Sequence, residues 1–213
     1  MLQVERSERS RTAILDAALE LFSHRGYGAT SMRDIAGKAG VSTGSVYHHF
    51  QDKEAIFLAL LEQFQTITKR RDFPINTVLE RGEFLDDFAS LASAAQEVLA
   101  KWRPHLALFY VDAVEFDGRH IQRFYADLAA RFEEFAETHR ARLSLDQRFR
   151  EDVPLAPAML FATRVFIYYF SVESIFGVEQ QMGRPTPEAI ALISGIMRRG
   201  MLRPASGGPE ASG

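Results

Sequence analysis

Residues Ala39 to Phe50, AGVSTGSVYHHF, hold two glycines, three aliphatic hydroxyls, a tyrosine and the adjacent pair His48–His49. Two kinds of chemistry suit such a stretch. The histidines would begin a metal or acid–base site, or the whole surface would press hydrogen-bonding groups against a larger partner. Spacing decides between them. Neighbours on a helix point about 100° apart, whereas side chains that share an ion stand three or four residues apart. Four residues before His48 and His49 stand Gly44 and Ser45, neither an acidic ligand. The metal reading of this pair fails on geometry.

A second cluster, Glu115, Asp117 and His120, offers cation ligands, although Asp117-Gly118 also reads as a turn that ends one helix and starts another. The chain has no cysteine, so disulfides and thiolate metal sites are excluded and a reducing compartment fits. No nucleophile–base pair, phosphate loop or HExxH is present. No cofactor is expected, and an enzyme is not the favoured class.

The elements that position these residues repeat their apolar side chains at the helical period. One helix is expected from Arg9 to His24, stopped by Gly26, behind a polar arm over residues 1–8. A short one starts at Ser31, with Asp34 at capping-box spacing, and ends at Gly40. A third covers Thr43–His49, and a fourth begins behind Asp52 as N-cap and runs until Pro74 breaks it. After a loop, helices are expected near 83–100, 104–116, 119–143, 155–179 and 186–200, with Pro104 and Pro187 at first helical positions, Pro187 behind Thr186 as N-cap. The tail from Pro204 has linker composition and is expected to be disordered. The fold class is therefore all-α, about nine helices, divided as 1–51, 52–203 and a tail 204–213.

Two short helices about Gly40 form a helix-turn-helix, whose second helix enters a DNA major groove. Gly40 supplies the turn, Val41 plugs it and Ser42 caps the next helix. Thr43, Gly44 and Ser45 then offer small groups and hydroxyls to base edges, while Val46 and Phe50 share the inward face. Charge is compatible with this role: residues 1–70 carry nine Lys/Arg against eight Asp/Glu, the remainder 16 against 20. That asymmetry alone proves nothing about nucleic acid.

Arg11 to Phe64 resembles the DNA-binding domain of the tetracycline-repressor (TetR) family. The likeness rests on Ile14-Leu15, Ala17-Ala18 and Leu21-Phe22, then Gly26-Tyr27, Thr30-Ser31 and Ile35-Ala36. Ala39-Gly40-Val41-Ser42, Gly44-Ser45, Tyr47, His49-Phe50 and Lys53-Glu54 follow in the same order. The resemblance implies DNA contacts by Arg33 on the second helix, by Thr43, Gly44 and Ser45 at bases, by Tyr47, His48 and His49 along the backbone, and by Lys53 at a phosphate. It also implies a ligand-responsive regulator, most often a repressor, that binds a palindromic double-stranded operator as a two-fold homodimer. Its C-terminal half would enclose a small effector.

The remaining sequence supports two of these implications. Helix 155–179 is apolar on nearly every face, more than one chain's neighbours can cover, so it and helix 186–200 are expected to meet a second copy. Arg164 and Glu173 interrupt that run, which makes it a poor membrane span; no membrane partner and a cytoplasmic location are expected. Thirteen of the 17 phenylalanines follow Arg71, and aromatic walls favour an apolar or amphipathic effector. The candidate ligand-binding residues are Trp102, Phe109, Phe116, Phe132, Arg164 and Tyr168, though a dense core or a buried ion pair explains them equally. An architectural DNA-binding protein without ligand and a helical carrier or enzyme remain the alternatives.

Overall fold

The structure is a computed structural model and describes residues 2–82, 88–143 and 149–203. Among the described residues there are nine helices and no strand beyond an isolated bridge between Phe149 and Leu202. The helices are α1 (Leu2–Arg25), α2 (Met32–Ala39), α3 (Thr43–His49), α4 (Lys53–Thr68), α5 (Pro74–Arg81), α6 (Ala89–Glu115), α7 (Ile121–Leu143), α8 (Leu155–Phe176) and α9 (Thr186–Met201).

Several boundaries differ from the sequence reading, each for a local reason. The arm over residues 1–8 is the first part of α1, which begins at Leu2. Its residues are mostly good helix formers, and Ser10 and Thr12 donate to the carbonyls of Arg6 and Glu8 along the same helix. Pro74 opens α5, a helix the sequence reading left as loop, because a first-turn proline loses no helical hydrogen bond. The expected helices 83–100 and 104–116 join in α6, where Trp102 leaves helical geometry (φ −123°, ψ 22°) two residues before Pro104. Residues 83–87 of the first of these lie outside the described residues. Thr186 is the first residue of α9 rather than its N-cap, a place taken by Pro185. The tail expected to be disordered also lies outside the described residues.

The chain groups into two compact units: Met1–Phe73 with Trp102–Tyr125, and Pro74–Lys101 with Ala126–Gly213. The first has a core of Ile14, Ala18, Phe22, Ile35, Val46, Ile56, Phe57 and Leu60, completed by Leu108 from the second half of α6. Thus α4 and Leu108, which the sequence division at residue 51 puts in the second domain, pack with the helix-turn-helix because they cover its apolar floor. In the second unit, α8 is long and apolar enough to cross a bilayer by length and composition, yet 56% of that stretch is buried.

Candidate nucleic-acid interface and effector cavity

The helix-turn-helix is built from matched local signals. The Ser31 side chain accepts from the Asp34 amide and the Asp34 carboxylate accepts from the Ser31 amide at 2.8 Å, closing a full capping box. Hydrogen bonding to Ser31 holds the Asp34 carboxyl below its ordinary pKa. At the other end of α2, Gly40 takes φ 68°, a conformation that costs a residue with a Cβ about 1 kcal/mol or more. Ser42 accepts from the Ser45 amide at 3.1 Å and caps α3.

With α3 fixed at both ends, its faces separate cleanly. Val46 and Phe50 are buried in the first unit's core. Gly44, Tyr47 and His48 are exposed, while Thr43, Ser45 and His49 are half-buried. Tyr47 is 56% exposed, far more than an aromatic ring serving only as packing. Arg33 is exposed on α2. The rings of His48 and His49 lie edge to face, 5.3 Å between centroids with planes 73° apart.

Lys53, expected at a phosphate, is held by partners within the chain. Its ammonium donates to the Tyr27 carbonyl at 2.6 Å and the Thr30 carbonyl at 2.7 Å, and sits 4.0 Å from the Tyr27 ring centroid. Burial lowers its pKa. The resemblance implies only a phosphate contact there; the two carbonyls are set by the turn between α1 and α2, which residue type alone does not announce. Lys53 ties the start of α4 to the segment that leads into α2.

Next to it, Glu54 accepts from Arg119 Nη2 at 2.8 Å and lies 3.2 Å from His120 Nε2. His120 Nδ1 is 2.6 Å from Asp112 Oδ1, and Asp112, fully buried, also accepts from the amides of His120 and Ile121. Glu115 accepts from the Gly28 amide at 3.0 Å. A Cβ on Gly28 would stand 3.2 Å from that carboxylate, so glycine permits the approach. The sequence cluster Glu115, Asp117 and His120 is therefore dispersed. Glu115 and His120 have different partners, and Asp117 (φ 55°) with Gly118 (φ 73°) makes the turn. This network joins the α6–α7 turn to α4 and to the loop before α2, within one unit.

The six candidate ligand-binding residues are divided between the two units. In the first unit Phe116 packs on Tyr27 and Phe57, at 4.6 and 5.0 Å between centroids, in the floor of the helix-turn-helix. Trp102 meets Phe73 there, and Phe109 meets Phe64 and Phe124. In the second unit Phe132 is buried, whereas Arg164 and Tyr168 are exposed on α8. A cavity in that unit, about 550 Å³, is lined by Leu99 on α6, Phe170 and Glu173 on α8, and Glu179, Gln180 and Thr186 beyond it, among others. Of the two charges inside α8, Glu173 lines this cavity and Arg164 is exposed.

Comparison with known proteins places this geometry. The family described as bacterial regulatory proteins, tetR family, matches residues 14–60. Over 54 residues, 25% of this chain and 26% of the relative, the sequence is 50% identical to the HTH-type transcriptional repressor KstR2 of Rhodococcus jostii (strain RHA1). Over 58 residues, 27% of each protein, it is 43% identical to the HTH-type transcriptional regulator AcrR of Shigella flexneri. The chain thus matches about a quarter of the length of these curated relatives. The crystal structure of NalD, the secondary repressor of the MexAB-OprM multidrug efflux pump in Pseudomonas aeruginosa, is similar over 92% of this chain and 98% of that one, with a TM-score of 0.61 and 26% identity.

Proposed function

We propose that the chain is a transcriptional regulator of the tetR family, whose model matches residues 14–60, and that it is a ligand-responsive repressor acting as a two-fold homodimer. The observation that carries the reading is the exposed face of α3, held by a side-chain cap at one end and by Val46 and Phe50 beneath. Thr43, Gly44 and Ser45 address base edges, and Tyr47, His48, His49 and Arg33 grip the backbone. Lys53 works from behind, fixing the segment that precedes α2.

The dimer reading is supported by large apolar side chains exposed on α8 and α9. Phe161, Tyr168 and Phe176 on α8 and Ile196 on α9 are each more than half exposed. An isologous interface would cover them and fix the separation of two α3 helices at about 34–36 Å, or a multiple, to fit a palindromic operator. The effector, a small apolar or amphipathic molecule, would bind the dimer better in another spacing and lower DNA affinity by population shift. Within the DNA-binding unit, the Asp112–His120–Glu54 network and the Glu115–Gly28 bond supply contacts through which a movement of the α6–α7 turn would reach α4 and α2. The reading assigns no catalysis and a cytoplasmic location.

Titrating a labelled palindromic duplex from the protein's own upstream region with dimer at 50 and 200 mM salt tests the interface. With about 6–10 phosphate contacts, affinity should fall about 10³–10⁵-fold between the two. Specific binding indifferent to salt would overturn the proposed mode of contact.

A further inference from the structure

We propose that Arg11 is a further DNA contact, a cation placed at the C-terminal end of α3 to take one phosphate of the duplex backbone. The inference rests on the DNA-binding reading above and adds to it a contact from α1, outside the helix-turn-helix.

Sequence position explains how Arg11 comes to be there. Ile14 and Leu15, three and four residues further on, are buried in the core of the first unit. Arg11 continues the same face of α1 one turn beyond the edge of that core. A long side chain so placed lays its stem along the apolar edge and keeps its charged head in water. Arg11 is accordingly exposed, and its guanidinium carbon stands 5.2 Å from the centre of the Phe50 ring. Phe50 caps the C-terminal end of α3, and the ring of His49 lies 6.5 Å from it between centroids. The guanidinium is thus set beside the end of α3 that carries His48 and His49. Bases are addressed from the opposite end, at Thr43, Gly44 and Ser45, because a recognition helix reads base edges with its first residues and meets the backbone with its last. A phosphate is therefore the group within reach of Arg11.

The donors of Arg11 are also available. Two other cations of this unit lie over rings and bind acceptors as well: Lys53, over Tyr27, donates to two carbonyls, and Arg119, over Phe116, donates to Glu54. Lys38 on α2 is paired with Glu20 at 2.6 Å. Arg11 makes no hydrogen bond or ion pair among the described residues. A ring attracts a cation through its charge and does not use up the planar fork of N–H donors that fits two phosphate oxygens. Taking a phosphate at Arg11 breaks no bond in the protein, whereas Lys53 would have to give up two. Resting on Phe50, the side chain also has less freedom to lose on binding than an unsupported arginine.

A salt titration of the full chain and of its Arg11→Gln and Arg11→Lys variants tests the proposal, on the duplex from the protein's own upstream region and on an unrelated duplex of equal length. At about 0.9 per phosphate, the two copies of Arg11 in the dimer account for about 1.8 of the slope of log affinity against log salt. Between 50 and 200 mM salt, Arg11→Gln should therefore lose about ten-fold less affinity than the wild type. At 50 mM it should bind both duplexes more weakly by the same factor, as a backbone contact requires. Arg11→Lys, which keeps the charge, should recover most of the slope. Both variants should melt close to the wild type, since Arg11 is exposed. A wild-type slope in Arg11→Gln, with or without a lowered melting temperature, would overturn the proposal and leave the rest of the interface standing. A loss confined to the upstream duplex would also overturn it, by making Arg11 a reader of bases. No binding of either duplex by the wild type would overturn it together with the DNA-binding reading.

Discussion

His105 offers a quantitative test of the core of the DNA-binding unit. It lies on α6 and stacks on Phe64, with 5.4 Å between ring centroids and planes 22° apart. It is 8% exposed, and neither ring nitrogen has a hydrogen-bond partner among the described residues. Burial pushes its pKa from the ordinary 6.5 down to about 4. Because the folded value is depressed, the unfolded chain binds more protons between these limits, and stability falls as pH drops from about 6.5 to about 4. A gap of about 2.5 pH units at about 1.4 kcal/mol each gives a full loss of about 3.5 kcal/mol, of which about 3 kcal/mol is reached at pH 4, where the folded group is half protonated. Other groups titrate in the same window, so the test is a difference. His105→Phe keeps the stacked ring and removes both buried nitrogens, and at pH 7.5 it should be no less stable than the wild type. Urea unfolding followed by circular dichroism, at one protein concentration across pH 4–7.5, should show the variant losing about 3 kcal/mol less than the wild type. Identical losses would refute the reasoning, since His105 would then have an ordinary pKa in the folded protein.

Three further outcomes follow from particular contacts. Lys53→Met should leave the Tyr27 and Thr30 carbonyls without their donor, costing about 1–3 kcal/mol in thermal or chemical unfolding and weakening DNA binding as a consequence. An unaltered melting curve would return Lys53 to a simple surface role. Ser42→Ala removes the cap of α3 and should cost about 1 kcal/mol. Loss of DNA affinity at unchanged stability would instead make Ser42 a direct contact. Phe161→Glu on α8 should shift the molecule from dimer to monomer in sedimentation while the helical spectrum is kept. A dimer that persists would place the interface elsewhere.

The parts of this molecule that could be read from sequence are those whose cause is local. Ser31 with Asp34, Gly40, Ser42 and Asp52 each fix a helix end through neighbours within a few residues, and each performs its expected task. Pro74 shows the limit of such signals, since one residue type both ends helices and begins them, and only the following Ile75, Val78 and Leu79 packing inward decides. The aromatic residues show another limit. Phe116 has the stripe position of a cavity wall, but its neighbours are Tyr27 and Phe57, distant in sequence, and it serves as floor for the helix-turn-helix. The cavity draws Gln96, Glu173 and Gln180 from three separate stretches, and no spacing rule joins them. Only the charge of Glu173 within an apolar helix marked it in advance.

Selection of bound duplexes from a random library, by the wild type and by a Thr43→Ala, Ser45→Ala, Tyr47→Ala triple variant, tests the central claim most directly. The triple variant changes one capped surface and leaves Val46 and Phe50 in the core. The account predicts that the wild type enriches one palindrome, with half-site centres about one helical turn or a multiple apart, and that the folded variant enriches none. Enrichment of the same palindrome by the variant would show that another surface reads the DNA, and no enrichment by the wild type would contradict the account altogether.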